Sequence, residues 1–323
     1  MTILAGVDIG GTKCAVCLGR TSGDAVEVLQ KRRFPTPSSP AAALALFKDS
    51  LEDLLGESGL RGDLKAIGIS CGGPLDSRSG LVLSPPNLPN WDRVDVVSPL
   101  RVAFAVPTAL QNDANACALA EWQWGAGRGF NNLIFLTFGT GMGAGLILDG
   151  RLYSGANDMA GEVGHLRLEP DGPVGYGKAG SFEGFCSGGG MAQLARSMAA
   201  GQIAAGAPPA FCPTLADLPG VTAAGVAEAA ARGDALALAI YALVGRQLGR
   251  ALAVLVDILN PQCIIIGSIY ARQEHLLKDS MLETLRQEAL PQSLAVCQVV
   301  PAGLGETVGD LASLSVGLLA LQA

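Results

Sequence analysis

The sequence predicts an α/β protein built from two similar halves. Three observations carry that expectation. A strand, a glycine-rich turn and two further strands occur twice, once around Asp8 and again around Thr140. Short apolar runs of strand length alternate with longer stretches of helical spacing. The 323 residues are 49% hydrophobic and only 16% charged, which excludes a disordered chain and supplies apolar material for two cores.

Ile3–Ile9 reads as a strand, Gly10–Lys13 as a tight turn and Cys14–Leu18 as the return strand. Val26–Phe34 is a third strand, Pro35–Pro40 a loop, and Ala41–Leu55 a helix that stops near Gly56. Ala66–Cys71 is a short apolar strand ending in Gly72-Gly73-Pro74, and Ser84–Trp91 is a Pro/Asn-rich loop. Val106–Leu110 is a strand, followed by a helix to about Trp124. The pattern then restarts with the strand Leu133–Phe138, the turn Gly139–Gly143 and the strand Ala144–Leu148. Asp149-Gly150 is a hairpin signal before a short strand at Arg151–Tyr153. A loop-rich stretch runs to Gly190, then mostly helix to Leu259, with Ala199–Gly220 read as a connection. Cys263–Gly267 is a strand, Glu274–Leu290 a helix, Ala295–Val300 a strand and Glu306–Leu321 a closing helix. The expected division is a smaller domain over 1–112 and a larger one over 113–305, with the segment 306–323 packing back on the first.

The formal net charge of −7 argues against nucleic acid and anionic membrane surfaces as partners. The mean hydropathy of +0.37 prompts a search for membrane spans. The uncharged run between Arg128 and Asp149 is interrupted by Gly139, Gly141, Gly143 and Gly145, and Ala251–Tyr270 is broken by Asp257, Asn260 and Pro261. No secretion signal opens the chain, and eight dispersed cysteines fit reduced thiols, so the expected location is cytoplasmic.

Four segments carry chemistry. In Asp8–Lys13, adjacent glycines let backbone N–H groups approach phosphate oxygens, Thr12 adds a hydroxyl and Lys13 a cation. Asp8, at a strand end, is placed to orient a magnesium ion through water. The alternative is a plain hairpin, since no helix follows the glycines. Leu136–Gly143 repeats the same physics in the other half, and two such turns suggest a phosphate chain gripped from both sides of a cleft. In Gln111–Asn115, Asp113 is either a helix N-cap or a carboxylate that takes a proton from an attacking hydroxyl, oriented by Asn112. Gly155–His165 sets Glu162 and His165 among glycines, which suits hydrogen bonding to a small polyhydroxylated ligand.

Asp8–Lys13 (DIGGTK), Asn112–Asn115 (NDAN), Leu136–Gly143 (LTFGTGMG) and Gly161–His165 (GEVGH), in this order, resemble the ROK family of sugar kinases and sugar-responsive repressors. Asn260-Pro261 and Gly303–Leu311 are similar too. The resemblance implies duplicated α/β domains of the actin-like (ribonuclease H-like) fold flanking a nucleotide–sugar cleft. It implies ATP with Mg²⁺ and phosphorylation of a hexose, most simply glucose at its primary hydroxyl, with an N-acetylhexosamine, fructose or allose as alternatives. Gly10, Gly11, Thr12, Lys13, Thr140 and Gly141 match the phosphate turns, and Gly267 lies where the adenosine rests. Asp113 matches the catalytic base. Gly73, Asn87, Asn112, Asp113, Glu162, His165 and Glu183 are the implied sugar-binding positions. A homodimer is the implied assembly. The family's regulators carry a helix-turn-helix domain ahead of the core, and with DIGGTK starting at Asp8 the expected member is an enzyme.

One departure stands out. Zinc-binding members carry three cysteines after the GH pair, where this chain has Val174, Tyr176 and Ser181. Three of four tetrahedral ligands are replaced, so no structural zinc is expected. Cys14 and Cys17 are three apart on a strand and point to opposite faces, which makes them poor chelators.

Overall fold

Alternation along the first strand builds the first sheet. The computed structural model describes residues 1–322, apart from the Glu306 side chain. Ala323, the end of the segment expected to pack back, and that side chain lie outside the described residues. In β1 (Thr2–Ile9), Ile3, Ala5, Val7 and Ile9 point to one face. There they join Val16 and Leu18 of β2 (Lys13–Ser22), Ile67 and Ile69 of β4 (Leu64–Cys71), and Phe47, Leu51, Leu54 and Leu55 of α1 (Pro40–Ser58). The helix forms where its signals sit. Ser39 caps Ala42 N, Pro40 opens the first turn, and Gly59 closes it at φ 69°. With β3 (Ala25–Pro35) and β5 (Thr108–Asn112), the strand order is β3-β2-β1-β4-β5. The first three strands are antiparallel, and β4 and β5 run parallel to β1.

The opposite face of this sheet is paved with glycine. A Cβ on Gly6 would lie 2.1 Å from Ser313 Oγ, and one on Gly68 2.0 Å from Ser313 O. Both atoms belong to α7 (Val308–Ala320), which packs on β1, β4 and α2 (Asp113–Trp124). Only glycine allows a helix to sit this close to a sheet. The cysteines follow the same alternation. Cys14 Sγ lies by Gly10 O and Thr36 Oγ1 on the α1 side, whereas Cys17 Sγ faces Asp310 O and Ser313 Oγ of α7.

The second sheet repeats the first. Its strands are β6 (Leu133–Phe138), β7 (Met142–Leu148), β8 (Arg151–Leu152), β9 (Cys263–Ile266) and β10 (Gln298–Pro301), in the order β8-β7-β6-β9-β10. Element for element this is the order of the first sheet, with a glycine turn between its first two strands. The duplicated α/β fold read from the sequence is the observed one.

By packing, the chain forms one unit of 1–135, 145–161 and 303–323 and another of 136–144 and 162–302. The division does not fall at residue 112, because α2 packs with α7: Ser315 Oγ donates to Ala116 O at 3.0 Å. The second unit also holds α3 (Phe182–Phe185), α4 (Gly188–Ala204), α5 (Ala235–Leu259) and α6 (Ser268–Glu288). Several expectations need correction here. The stretch read as a connection from Ala199 is helical to Ala204, and Leu215–Gly220 forms a 3₁₀ turn started by a Thr214–Asp217 capping box. Helix α6 begins six residues earlier than the Glu274 expected, and Ala295 precedes its strand because Pro291–Leu294 is a helical turn. Helix α5 is long and apolar enough to cross a membrane, yet 67% of its most apolar window is buried in the protein, as in a core helix.

Candidate active site

In the first unit the site grows from the β1–β2 turn. Gly10 N donates to Lys13 O at 3.2 Å, and Thr36 braces the turn by donating its hydroxyl to Gly10 O and its N–H to Thr12 O. Thr12 and Lys13 are exposed at the tip. A Cβ on Gly11 would lie 2.5 Å from Asn87 O, and one on Gly73 would lie 3.0 Å from Asn112 Nδ2. The structure therefore brings Gly10, Gly11, Gly73, Asn87 and Asn112 into one cluster, although the sequence scatters them over a hundred residues.

Asn112 and Asp113 divide the work at the start of α2. Asn112 holds the cap position, with extended backbone and Oδ1 accepting from Ala114 N at 2.9 Å. Asp113 stands one residue further in, as the first helical residue. It is exposed, and its Oδ1 shares the Ala114 N–H at 2.8 Å. The N-cap alternative for Asp113 is thus corrected: the capping residue is Asn112.

Asp8 occupies the glycine-paved face, in register with Ser70 on one side and with Ala15 and then Arg33 on the other. Its Oδ2 lies 3.6 Å from a Cβ position on Gly309, in the first turn of α7. Burial raises its carboxyl from the ordinary 3.8 to about 7, helped by the charges of Asp113 and Asp310 and opposed by Lys31 and Arg33. Lys31 pairs with Asp310. The sequence reading missed Lys31, Arg33 and Asp310. The available signal was strand period in Lys31-Arg32-Arg33: Lys31 and Arg33 serve the Asp8 face, and Arg32 turns the other way to Asp53 and Glu57 of α1.

In the second unit the β6–β7 turn is tied by Gly139 N to Gly141 O at 3.1 Å and by Thr137 Oγ1, which accepts from Gly143 N at 2.8 Å. Thr140 is exposed at the tip. Glu183, the second residue of α3, accepts from Met142 N at 3.0 Å, so this carboxylate holds the turn's exit. A Cβ on Gly164 would meet Met142 O at 2.3 Å, which seats the 3₁₀ turn Val163–His165 on β7. Glu162 is exposed, and its carbonyl accepts from His165 N at 3.2 Å. Gly267 caps α6, donates to Leu136 O at 2.9 Å and precedes Ser268, which has φ 51° and whose Oγ is 3.4 Å from a Cβ position on Gly139. Thr140, Gly141, Glu183, His165 and Gly267 thus gather around one turn.

No group of three or more His, Cys, Asp or Glu side chains able to hold a metal occurs among the described residues. The carboxylates about Asp8 suit a cation carried mainly by water and phosphate oxygens, as magnesium is. Of the three positions where the family has cysteines, Ser181 caps α3 through Gly184 N, Val174 is held by Gln193, and Tyr176 stands edge to face with His165.

Comparison with known proteins places these clusters in context. The model of the ROK family matches residues 4–315. A glucokinase of Halalkalibacterium halodurans is 32% identical over 94% of this chain and 91% of its own, and an N-acetylmannosamine kinase of Escherichia coli is 32% identical over 83% and 82%. A ROK glucokinase of Streptomyces griseus, solved with glucose and AMPPNP, superposes with a TM-score of 0.75 at 28% identity, covering 99% of this chain and 100% of that one. A ROK transcriptional regulator, a homologue of the E. coli MLC protein, gives 0.84 at 26%, with 99% of this chain covering 78% of that one. With a family match over nearly its whole length and the family's motifs gathered as described, the chain belongs to the ROK family.

Proposed function

We propose that this ROK sugar kinase transfers the γ-phosphoryl group of ATP to the primary hydroxyl of a hexose, with glucose as the first candidate. The observation that carries the reading is Asp113: an exposed carboxylate at the first helical position of α2, beside the capping Asn112 and in the same unit as the Gly10–Lys13 turn. In this reading Asp113 accepts the proton of the attacking hydroxyl, and Asn112 helps orient the sugar. The N–H groups of Gly10 and Gly11, with Thr12 and Lys13, receive phosphate oxygens, and Thr140 and Gly141 do the same from the second unit. Gly267, with Ser268 beside it, receives the adenosine. Gly73, Asn87, Glu162, His165 and Glu183 bind sugar hydroxyls. Asp8 would hold Mg²⁺ through water, where the ion would neutralise phosphate charge. The neighbouring Lys31 and Arg33 favour its ionised form.

The N-acetylmannosamine kinase relative, equal to the glucokinase in identity though over a shorter stretch, supports an N-acetylhexosamine as the second reading. A coupled ADP-release assay over glucose, mannose, fructose, allose, N-acetylglucosamine and N-acetylmannosamine separates them. The highest kcat/KM is expected with glucose. A preference for an amino sugar would reassign the substrate, and ADP release independent of any sugar would overturn the kinase reading.

A further inference from the structure

We infer that the hairpin Val174–Gly175/Lys178–Ala179 is a bracket that fixes His165, with Tyr176 as a positioning residue for sugar binding. The inference rests on His165 being a sugar-binding residue, as proposed above. Tyr176 and Gly177 form the two-residue turn between the short strands, at φ 42° and 77°. A turn with both central residues left-handed favours Asn and Gly, and a bulky side chain at its first position is disfavoured. Tyr176 is nevertheless 69% exposed, so burial of its ring does not account for its place. What the turn achieves is contact: the Tyr176 and His165 ring centroids are 5.3 Å apart, with the planes at 87°. Strain at a non-glycine residue, held in place to make one contact, is the kind of outlier from which a functional role is argued.

The same hairpin grips His165 a second time, because Lys178 Nζ donates to the His165 carbonyl at 2.6 Å. The hairpin is itself fixed from behind. Gln193 accepts from Val174 N and donates to Val174 O, both at 3.0 Å. A Cβ on Gly175 would lie 2.7 Å from Glu183 Cβ, so the hairpin also rests against another of the second unit's sugar-binding candidates. Ring and carbonyl of His165 are thereby both referred to one rigid element, which lowers the cost of ordering the imidazole when a ligand arrives.

The test compares Tyr176→Asn, Tyr176→Phe and Lys178→Met with the wild-type chain, by thermal unfolding, by kinetics on the best sugar of the panel, and by NMR of the imidazole protons. Only His165 and His275 contribute there, and His275→Gln assigns them. Asn suits the turn, so Tyr176→Asn should unfold no earlier than wild type, yet shift the His165 signal without any sugar present. It should also raise the sugar KM roughly three- to tenfold, with the ATP KM unchanged. Tyr176→Phe should behave as wild type, and Lys178→Met should raise the sugar KM in the same sense. An unmoved His165 signal overturns the bracket whatever the kinetics show. A moved signal with an unchanged sugar KM overturns the link to binding. A wild-type chain that phosphorylates no sugar overturns the functional reading itself, a result separable from the NMR outcome.

Discussion

The two glycine turns share a strand order and differ in chemistry. The first unit surrounds its turn with charge: Asp8, Asp113 and Asp310 against Lys31 and Arg33, on a sheet face closed by a helix. At the second turn a single carboxylate, Glu183, accepts a backbone N–H at the turn's exit. The same strand–glycine turn–strand unit occurs twice, and the residues around the two turns differ. In the functional reading above, the proton and the cation fall to the first unit, and residues that orient the sugar occur in both.

The sharpest way to break this comparison is Asp113→Asn. It should lower kcat by about 10² to 10⁴ while sugar affinity, measured by calorimetry, changes little. Turnover close to wild type would move the base elsewhere. Next in size is a pair of matched substitutions in the turns. Gly11→Ala sets a methyl against the Asn87 carbonyl, a backbone atom that cannot give way, whereas Gly141→Ala meets Glu183 Oε2 at 2.9 Å, the end of a side chain that can swing aside. Gly11→Ala should cost about 1–3 kcal/mol in ligand-free unfolding, and Gly141→Ala clearly less. Equal losses would show the two turns to be equally confined.

The smallest effect concerns pH. The Asp8 carboxyl sits at about 7 in the folded chain against an ordinary 3.8. A raised value means the folded state favours the protonated form. Its contribution is fully present below about 4 and is lost as pH rises through 7. Asp8→Asn removes that titration, so its stability relative to wild type, ligand-free, should grow from pH 4 to pH 8 by on the order of 1–2 kcal/mol, after allowance for partial solvent access. A difference that is flat or falls with pH would show that burial does not raise the Asp8 carboxyl.

Local signals revealed the repeat and both turns, because glycine between two apolar runs has few other uses. They could not reveal what lies across the chain. Lys31 and Asp310 are 279 residues apart, and only the strand register and the seat of α7 bring them to Asp8. Taken alone, the Asp113 segment reads first as a helix cap, and only the two glycine turns favour a catalytic carboxylate; the backbone of Asn112, extended at φ −60° and ψ 146°, puts the cap one residue before Asp113. The loop 172–181 shows in the sequence as the place where zinc is replaced, with Tyr176 and Phe182 as packing candidates, but not as a hairpin, because its strands are two residues long and its turn carries a tyrosine where an asparagine would have signalled it. Helix α4 ran past Ala199 because alanine favours helix wherever the chain allows it.

The seat of α7 on the glycine-paved sheet also orders events during synthesis. The helix that covers the second face of β1 is made roughly 300 residues after the strand, about 15 to 60 seconds at ordinary translation rates. Over that interval the first sheet can pack α1 on one face and must leave the other bare, with the Asp8 carboxylate open to water. The first unit is therefore sealed after translation of the second, and Gly309 and Asp310 of α7 reach Asp8 and Lys31 only at that closing step.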